Sequence, residues 1–312
     1  MSPIRLTFIF FLFVFGGGAA LAPVIHSFLA LLGNWIPFLE EWRRDIPFRR
    51  LVNRGLIITA LIGLWPFLRK LEIRNLKGIG LQRNGHSWRN YCLGFRLGCF
   101  TLGIAGAMVL VGGGRQLKDL KPIGEYFQHV INAGMAAVAV GFLEEILFRG
   151  ALLGALLKRY TFPTALGVSS ALYAIVHFFK ESESPEIVSW WSGFKVLADM
   201  CSGFFEWYQL VPGFLNLTLV GMILGVFYRK TGTLYFSIGL HGGWVFLGKT
   251  YRFLTGSVPD ADPWLWGSRK LVDGWMVTFV LVILLWYSVR RQKSVIAYPD
   301  EPKSETDNKM VS

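Results

Sequence analysis

Eight runs of apolar sequence divide this chain, at about residues 5–32, 51–68, 91–111, 130–157, 163–179, 210–228, 234–254 and 275–289. A helix needs roughly 20 apolar residues to cross the hydrocarbon core of a bilayer. In lipid each backbone N–H and C=O has to be satisfied within its own segment or a closed barrel, so runs of this length fold as helices. Composition agrees: 53% of the 312 residues are hydrophobic and 17% are charged, against about 25% charged in soluble domains. The expected architecture is all-α, a polytopic membrane helix bundle of about eight transmembrane helices plus one interfacial amphipathic helix. It occupies residues 1–296. Residues 297–312 are polar and are expected to form a disordered tail.

The formal net charge of +12 does not point to nucleic acid, because the Lys and Arg sit in short loops between apolar runs, where such residues set topology. Arg69, Lys70, Arg74, Lys77, Arg83 and Arg89, the pairs Lys158/Arg159 and Arg229/Lys230, and Arg290, Arg291 and Lys293 fall on one side. That places both termini in the cytoplasm and the protein in the cell membrane. Arg5, the run Leu6 to Phe15 and Ala20-Leu21-Ala22 resemble a signal peptide. Pro23 after the cut and apolar sequence to Leu32 favour a retained span. The three cysteines, Cys92, Cys99 and Cys201, have no framework or metal-site spacing.

Between residues 187 and 208, Trp190, Phe194, Leu197, Cys201, Phe204 and Tyr208 recur at helical spacing, with Ser192, Lys195, Asp199, Ser202 and Glu206 on another face. This predicts an amphipathic helix in the membrane interface, either a packing strut or a lid. The triplets Gly16-Gly17-Gly18 and Gly112-Gly113-Gly114 lack a phosphate-loop context and are expected to serve close helix packing.

Charged groups inside a span cost about 2.5–3.5 kcal/mol each at its centre, so they mark function by default. The fourth run contains Glu144-Glu145-Ile146-Leu147-Phe148-Arg149. Glu145 and Arg149 are four apart and share a helix face, which predicts an ion pair. Glu144 is rotated about 100° away and is left as a free carboxylate able to act as general base. Two histidines also lie in apolar runs, His177 and His241. Glu144 and His177 are each about fourteen residues from their shared connector, about 21 Å at 1.5 Å per residue, so antiparallel neighbours bring them level. His241 lies only about 11 Å from its own connector by the same arithmetic, and joins them only if its helix is tilted or displaced. His26, His86 and His129 lack such company and read as packing residues.

The sequence Glu-Glu-x-x-x-Arg, then Tyr173-Ala174-Ile175-Val176-His177, then His241, each in its own span, resembles the CPBP family of type II CAAX prenyl endopeptidases and bacteriocin-processing intramembrane proteases. The resemblance covers about residues 130–255. It implies an intramembrane endopeptidase acting on a membrane-associated protein or peptide, with Glu144, Glu145, Arg149, His177 and His241 as catalytic residues. In that picture Glu144 and His177 activate water, His241 helps to stabilise the oxyanion, and Glu145 and Arg149 shape the site. No cofactor is favoured. Zinc held by Glu144, His177 and His241 stays the alternative mechanism. The family's second motif usually opens with Phe, here Tyr173. Its third histidine is usually followed four residues later by Asn or Asp, here Val245, for which Trp244, Ser237 or Asn216 are the nearby substitutes. A proton- or ion-coupled transporter and a catalytically weakened scaffold are the rival readings.

Overall fold

The computed structural model describes residues 2–179, 183–205, 207–268 and 270–290; the expected tail at 297–312 lies outside these. Each of the eight apolar runs is helical. They correspond to α1 (Pro3–Gly33), α3 (Phe48–Lys70), α4 (Ser87–Val111), α5 (Ile123–Glu145) continuing through a π-helical segment (Ile146–Leu153) into α6 (Gly154–Leu156), α7 (Phe162–Val176), α9 (Trp207–Thr231), α10 (Tyr235–Leu254) and α12 (Trp275–Arg290). Short helices α2 (Pro37–Asp45), α8 (Ser192–Met200) and α11 (Pro263–Trp266) connect them. Among the described residues, five of the eight expected spans have the length and apolarity to cross a membrane: α1, α3, α4, the continuous Ile123–Leu156 helix and Leu210–Thr231. Helices α7 and α12 are apolar but have 15 and 16 residues, about 22–24 Å of helix. Helix α10 falls outside the set of five, its sequence carrying Lys249, Arg252, His241 and four glycines.

Small residues hold the centre together. Gly94 and Gly98 on α4 face Gly239 and Gly243 on α10 so closely that a Cβ at any of the four would run into the backbone of the other helix. Both pairs are Gly-x-x-x-Gly, the spacing that lets two helix backbones touch where lipid supplies no hydrophobic drive for association. On its other side α10 meets α5, where a Cβ on Gly141 would lie 3.1 Å from the Ile238 carbonyl. Helices α4 and α10 run parallel, and a two-stranded ribbon ties their C-terminal ends, β1 (Arg115–Leu117) pairing antiparallel with β2 (Thr255–Ser257). The first triplet behaves as expected in part: Gly17 and Gly18 admit Thr59 and Leu56 of α3, while Gly16 faces open space. In the second, the Trp266 ring lies against Gly112 and Gly114.

The expected long amphipathic helix at 187–208 is shorter and faces the other way. Helix α8 ends at Met200 and a 3-10 turn follows (Cys201–Phe205); Glu206 lies outside the described residues, as do the side chains of residues 207–209. The face turned to the protein is Ser192, Gly193, Val196 and Met200, packed with Ala22, Phe48, Leu51 and Val52. Trp190 and Phe194 of the predicted apolar stripe are exposed. Gly193 permits this, since its Cα sits against the Ala19 carbonyl of α1. Aromatic side chains do not need a protein partner where their surroundings are lipid or interface.

Substituting Gly239 with Ala is expected to cost about 1–3 kcal/mol through overpacking, because its Cβ overlaps the Tyr91 carbonyl. Gly248→Ala, whose Cβ makes an ordinary 3.6 Å contact with Leu102, is expected to be neutral or stabilising by up to about 1 kcal/mol. Thermal unfolding of both variants in one detergent checks the contrast.

Candidate active site

Helix α5 delivers Glu144 and Glu145 at its last two positions, and the π-helical segment begins at the next residue. Such segments concentrate at functional sites. One carbonyl of the segment, that of Phe148, accepts from Ser169 Oγ of α7 at 3.1 Å. Arg149, inside the segment, returns its Nη1 to Glu145 Oε1 at 2.7 Å and sends Nη2 across to the Gly221 carbonyl of α9 at 3.4 Å. Both residues are fully enclosed, Glu145 at 0% and Arg149 at 1% exposure. The guanidinium lies 4.5 Å from the centre of the Tyr173 ring. Pairing, hydrogen bonding and the cation–π contact let these charges persist away from water, while the second Glu145 oxygen, Oε2, is buried with no hydrogen-bond partner among the described residues.

His241 joins them through Nδ1, 3.0 Å from the same Glu145 Oε1. Its level follows from the base of the bundle. The connector before α10 does not reach the surface: Thr233 and Leu234 are buried, and the Leu234 N–H donates to the Gly80 carbonyl at 2.8 Å. Gly150 in the π-helical segment lies against the same Ile79–Gly80 loop, a Cβ there meeting the Ile79 carbonyl at 2.9 Å and Leu234 at 3.4 Å. Counted from that shared level, Glu144 and His241 are about two turns up their antiparallel helices. The buried connector supplies the displacement that the sequence arithmetic required.

His177 is the C-cap of α7. Its Nδ1 donates to the Tyr173 carbonyl at 2.8 Å, satisfying one of the carbonyls that a helix end leaves open. Its Nε2 then lies 3.5 Å from Glu144 Oε2, and His241 Nε2 lies 3.8 Å from the same oxygen. Glu144 and His177 are each about a quarter exposed, 26% and 28%. Yet Glu144 Oε2 is turned inward and makes no direct hydrogen bond among the described residues. All five residues predicted from the sequence therefore converge, and Glu144 remains apart from the Arg149 pairing.

The hydrogen bonds assign the tautomers. A backbone carbonyl and a carboxylate already held by Arg149 can only accept, so both Nδ1 atoms carry protons and both Nε2 atoms face Glu144, presenting lone pairs when the imidazoles are neutral. Three acceptors around one point suit a water molecule whose two protons they attract. They are also ligand types that zinc takes. However, among the described residues no three His, Cys, Asp or Glu side chains are grouped so as to hold a metal ion.

A cavity of about 170 Å³ opens beside His177, walled by Phe178, Leu217 and Val272 with Lys270 and Asp273 at the loop side. That is the scale of a space that takes one benzene ring, enough for a single substrate side chain. Glu144 and His241 are not in its wall.

A family model described as type II CAAX prenyl endopeptidase Rce1-like matches residues 126–247, from α5 past His241. Over residues 126–247 the chain is similar to this family. The matched segment contains all five site residues, and with the apolar helices around it this supports an integral membrane protein. No curated protein and no solved structure matches the chain.

The substitutes considered for Val245 do not serve. Trp244 Nε1 donates to Thr101 Oγ1 at 3.0 Å and Ser237 Oγ to the Leu224 carbonyl at 2.9 Å. Asn216 Nδ2 is spent on the carbonyls of Val272 and Gly274. Each closes a helix–helix or helix–loop contact away from Glu144. Of the other histidines, His26 accepts from Arg43 Nη1 at 2.8 Å, His129 stacks on Phe253, and His86 precedes α4. The sequence reading passed over the Tyr173 hydroxyl, 3.5 Å from His241 Nε2. A phenol in an apolar run was the available signal.

Arg149→Met is expected to cost about 3–5 kcal/mol, because it strands the Glu145 charge in the interior. Combining it with Glu145→Gln recovers part of that loss. Unfolding of the single and double variants in detergent measures the recovery.

Proposed function

We propose that this protein is an intramembrane endopeptidase that hydrolyses a peptide bond in a membrane-associated protein or peptide, with Glu144 as general base. The supporting observation is that Glu144 Oε2 lies within 3.8 Å of two imidazole Nε2 atoms while Arg149 is committed to Glu145. A carboxylate neutralised by its own arginine would be a poor base; this one has no such partner.

In the proposed reaction a water molecule sits between Glu144 Oε2 and His177 Nε2. As its oxygen bonds to the scissile carbonyl carbon, one proton passes to Glu144 and the carbonyl π pair moves onto oxygen. When the tetrahedral species collapses, the C–N bond breaks and Glu144 returns the proton to the leaving amine. His177, fixed by the Tyr173 carbonyl, orients the water. His241, fixed by Glu145, borders the reacting centre from α10. Glu145 and Arg149 hold the frame. Lowered activity on removing a positioned base is typically 10²–10⁴-fold. The substrate class suggested by the family description is a prenylated CAAX-type tail, anchored in the bilayer beside the site.

The test uses the purified full chain in proteoliposomes with a farnesylated CAAX-type reporter peptide. Glu144→Gln and His177→Ala are expected to lower kcat by about 10²–10⁴-fold, with wild-type cleavage unaffected by chelator. Inhibition by chelator that zinc restores would transfer Glu144, His177 and His241 to metal-ligand roles. Wild type and Glu144→Gln behaving alike would end the protease reading.

A further inference from the structure

We infer that the Tyr173 hydroxyl is a catalytic hydrogen-bond donor that stabilises the oxyanion; the inference rests on the protease reading above. A tetrahedral intermediate needs donors aimed at its oxygen. The tautomers leave few at this site. The Nδ1–H of His177 is held by the Tyr173 carbonyl and that of His241 by Glu145, so neither serves the oxyanion, and in the neutral imidazoles both Nε2 atoms face the centre as acceptors. The Arg149 guanidinium is committed to Glu145 and Gly221. Position 245, one helical turn beyond His241 and on the same face, is Val and offers no donor. Trp244, Ser237 and Asn216 donate elsewhere. Ser170 is nearly two turns below His177 on α7, against Gly221.

Tyr173 is placed for the task. It is 2% exposed, and its ring is fixed by Arg149 over one face and by Phe148 edge-on at 5.1 Å. The hydroxyl therefore has little freedom. It stands 3.5 Å from His241 Nε2, a long contact, and Glu144 Oε2 lies 3.8 Å from that same nitrogen. A substrate carbonyl oxygen arriving beside His241 would draw the phenolic O–H into a shorter bond as its charge develops. The hydroxyl donates a hydrogen bond throughout and transfers no proton, so the sequence of bond changes given above is unaltered.

The experiment compares wild type, Tyr173→Phe and Glu144→Gln on the farnesylated reporter in proteoliposomes, and measures inhibition by a phosphonate analogue of that peptide, a mimic of the tetrahedral species. For Tyr173→Phe the expected result is a kcat lowered about 10²–10³-fold with KM within about two-fold, and phosphonate affinity weakened in parallel with kcat. A side chain that merely packs would not separate the analogue from the substrate in this way. Where Tyr173→Phe does not fold, 4-aminophenylalanine against 4-methylphenylalanine at position 173 makes the comparison at nearly constant volume; the amino form is expected to keep most of kcat. Wild-type kcat in Tyr173→Phe, or equal losses for substrate and analogue, overturns the assignment while leaving the protease reading intact. Equal rates in wild type and Glu144→Gln overturn both.

Discussion

The buried contact among Glu145, Arg149 and His241 is the constraint on which the rest of this site depends. One carboxylate oxygen receives a guanidinium at 2.7 Å and an imidazole nitrogen at 3.0 Å. Removed from water, that carboxylate is tolerable only because both partners are charged or polar and close. The same oxygen joins α5, the π-helical segment and α10, and Arg149 carries the connection to α9 through Gly221. Its consequence for chemistry is indirect but specific. By accepting the Nδ1–H of His241 it turns Nε2 toward Glu144. By occupying Arg149 it leaves Glu144 without a cation of its own.

Packing of small residues makes that contact geometrically possible. His241 is flanked on α10 by Gly239, Gly242 and Gly243, and the neighbouring backbones of α4 and α5 lie where any side chain on those residues would extend. These glycines let α10 close on its neighbours so that the imidazole reaches Glu145 of α5. The recessed start of α10 sets its height, and it depends on the Leu234 amide finding the Gly80 carbonyl inside the bundle. A loop of buried apolar residues, Leu71, Ile73, Ile79 and Leu81, thus fixes the level of a polar group two turns above it.

Much of this was legible in the sequence, for identifiable reasons. Apolar runs fold as helices in lipid because the backbone has no other partner, so all eight runs are helical. Helical spacing alone sets Glu145 beside Arg149 and turns Glu144 away. What periodicity could not give was the direction of burial in α8. Trp190 and Phe194 are exposed while Gly193, Val196 and Met200 pack inward, because an aromatic side chain needs no protein partner where its surroundings are lipid or interface. Nor could counting along one helix place His241, because the height of α10 is set by residues 79–80, far away in sequence. The Gly-x-x-x-Gly pairs at 94/98 and 239/243 were readable and would have named the α4–α10 crossing. The substitutes for Val245 could not be ranked along the chain, because their hydrogen bonds are satisfied by α4, α9 and the 272–274 loop.

The shortness of α7 connects this frame to access. A helix of 15 residues does not fill the hydrocarbon thickness, and α7 stops at Val176, level with the carboxylates. Stopping there leaves carbonyls without helical partners. His177 caps one of them with its own Nδ1 proton, and the same bond presents Nε2 to Glu144. Directly after the cap the chain turns away through Phe178, whose side chain walls the cavity beside His177. A continuous helix at this position would give His177 Nδ1 no open carbonyl to cap and would run through the space where the cavity lies. Capping, tautomer and opening are therefore one structural event, the termination of α7, and a change that extended this helix by a turn would disturb all three together.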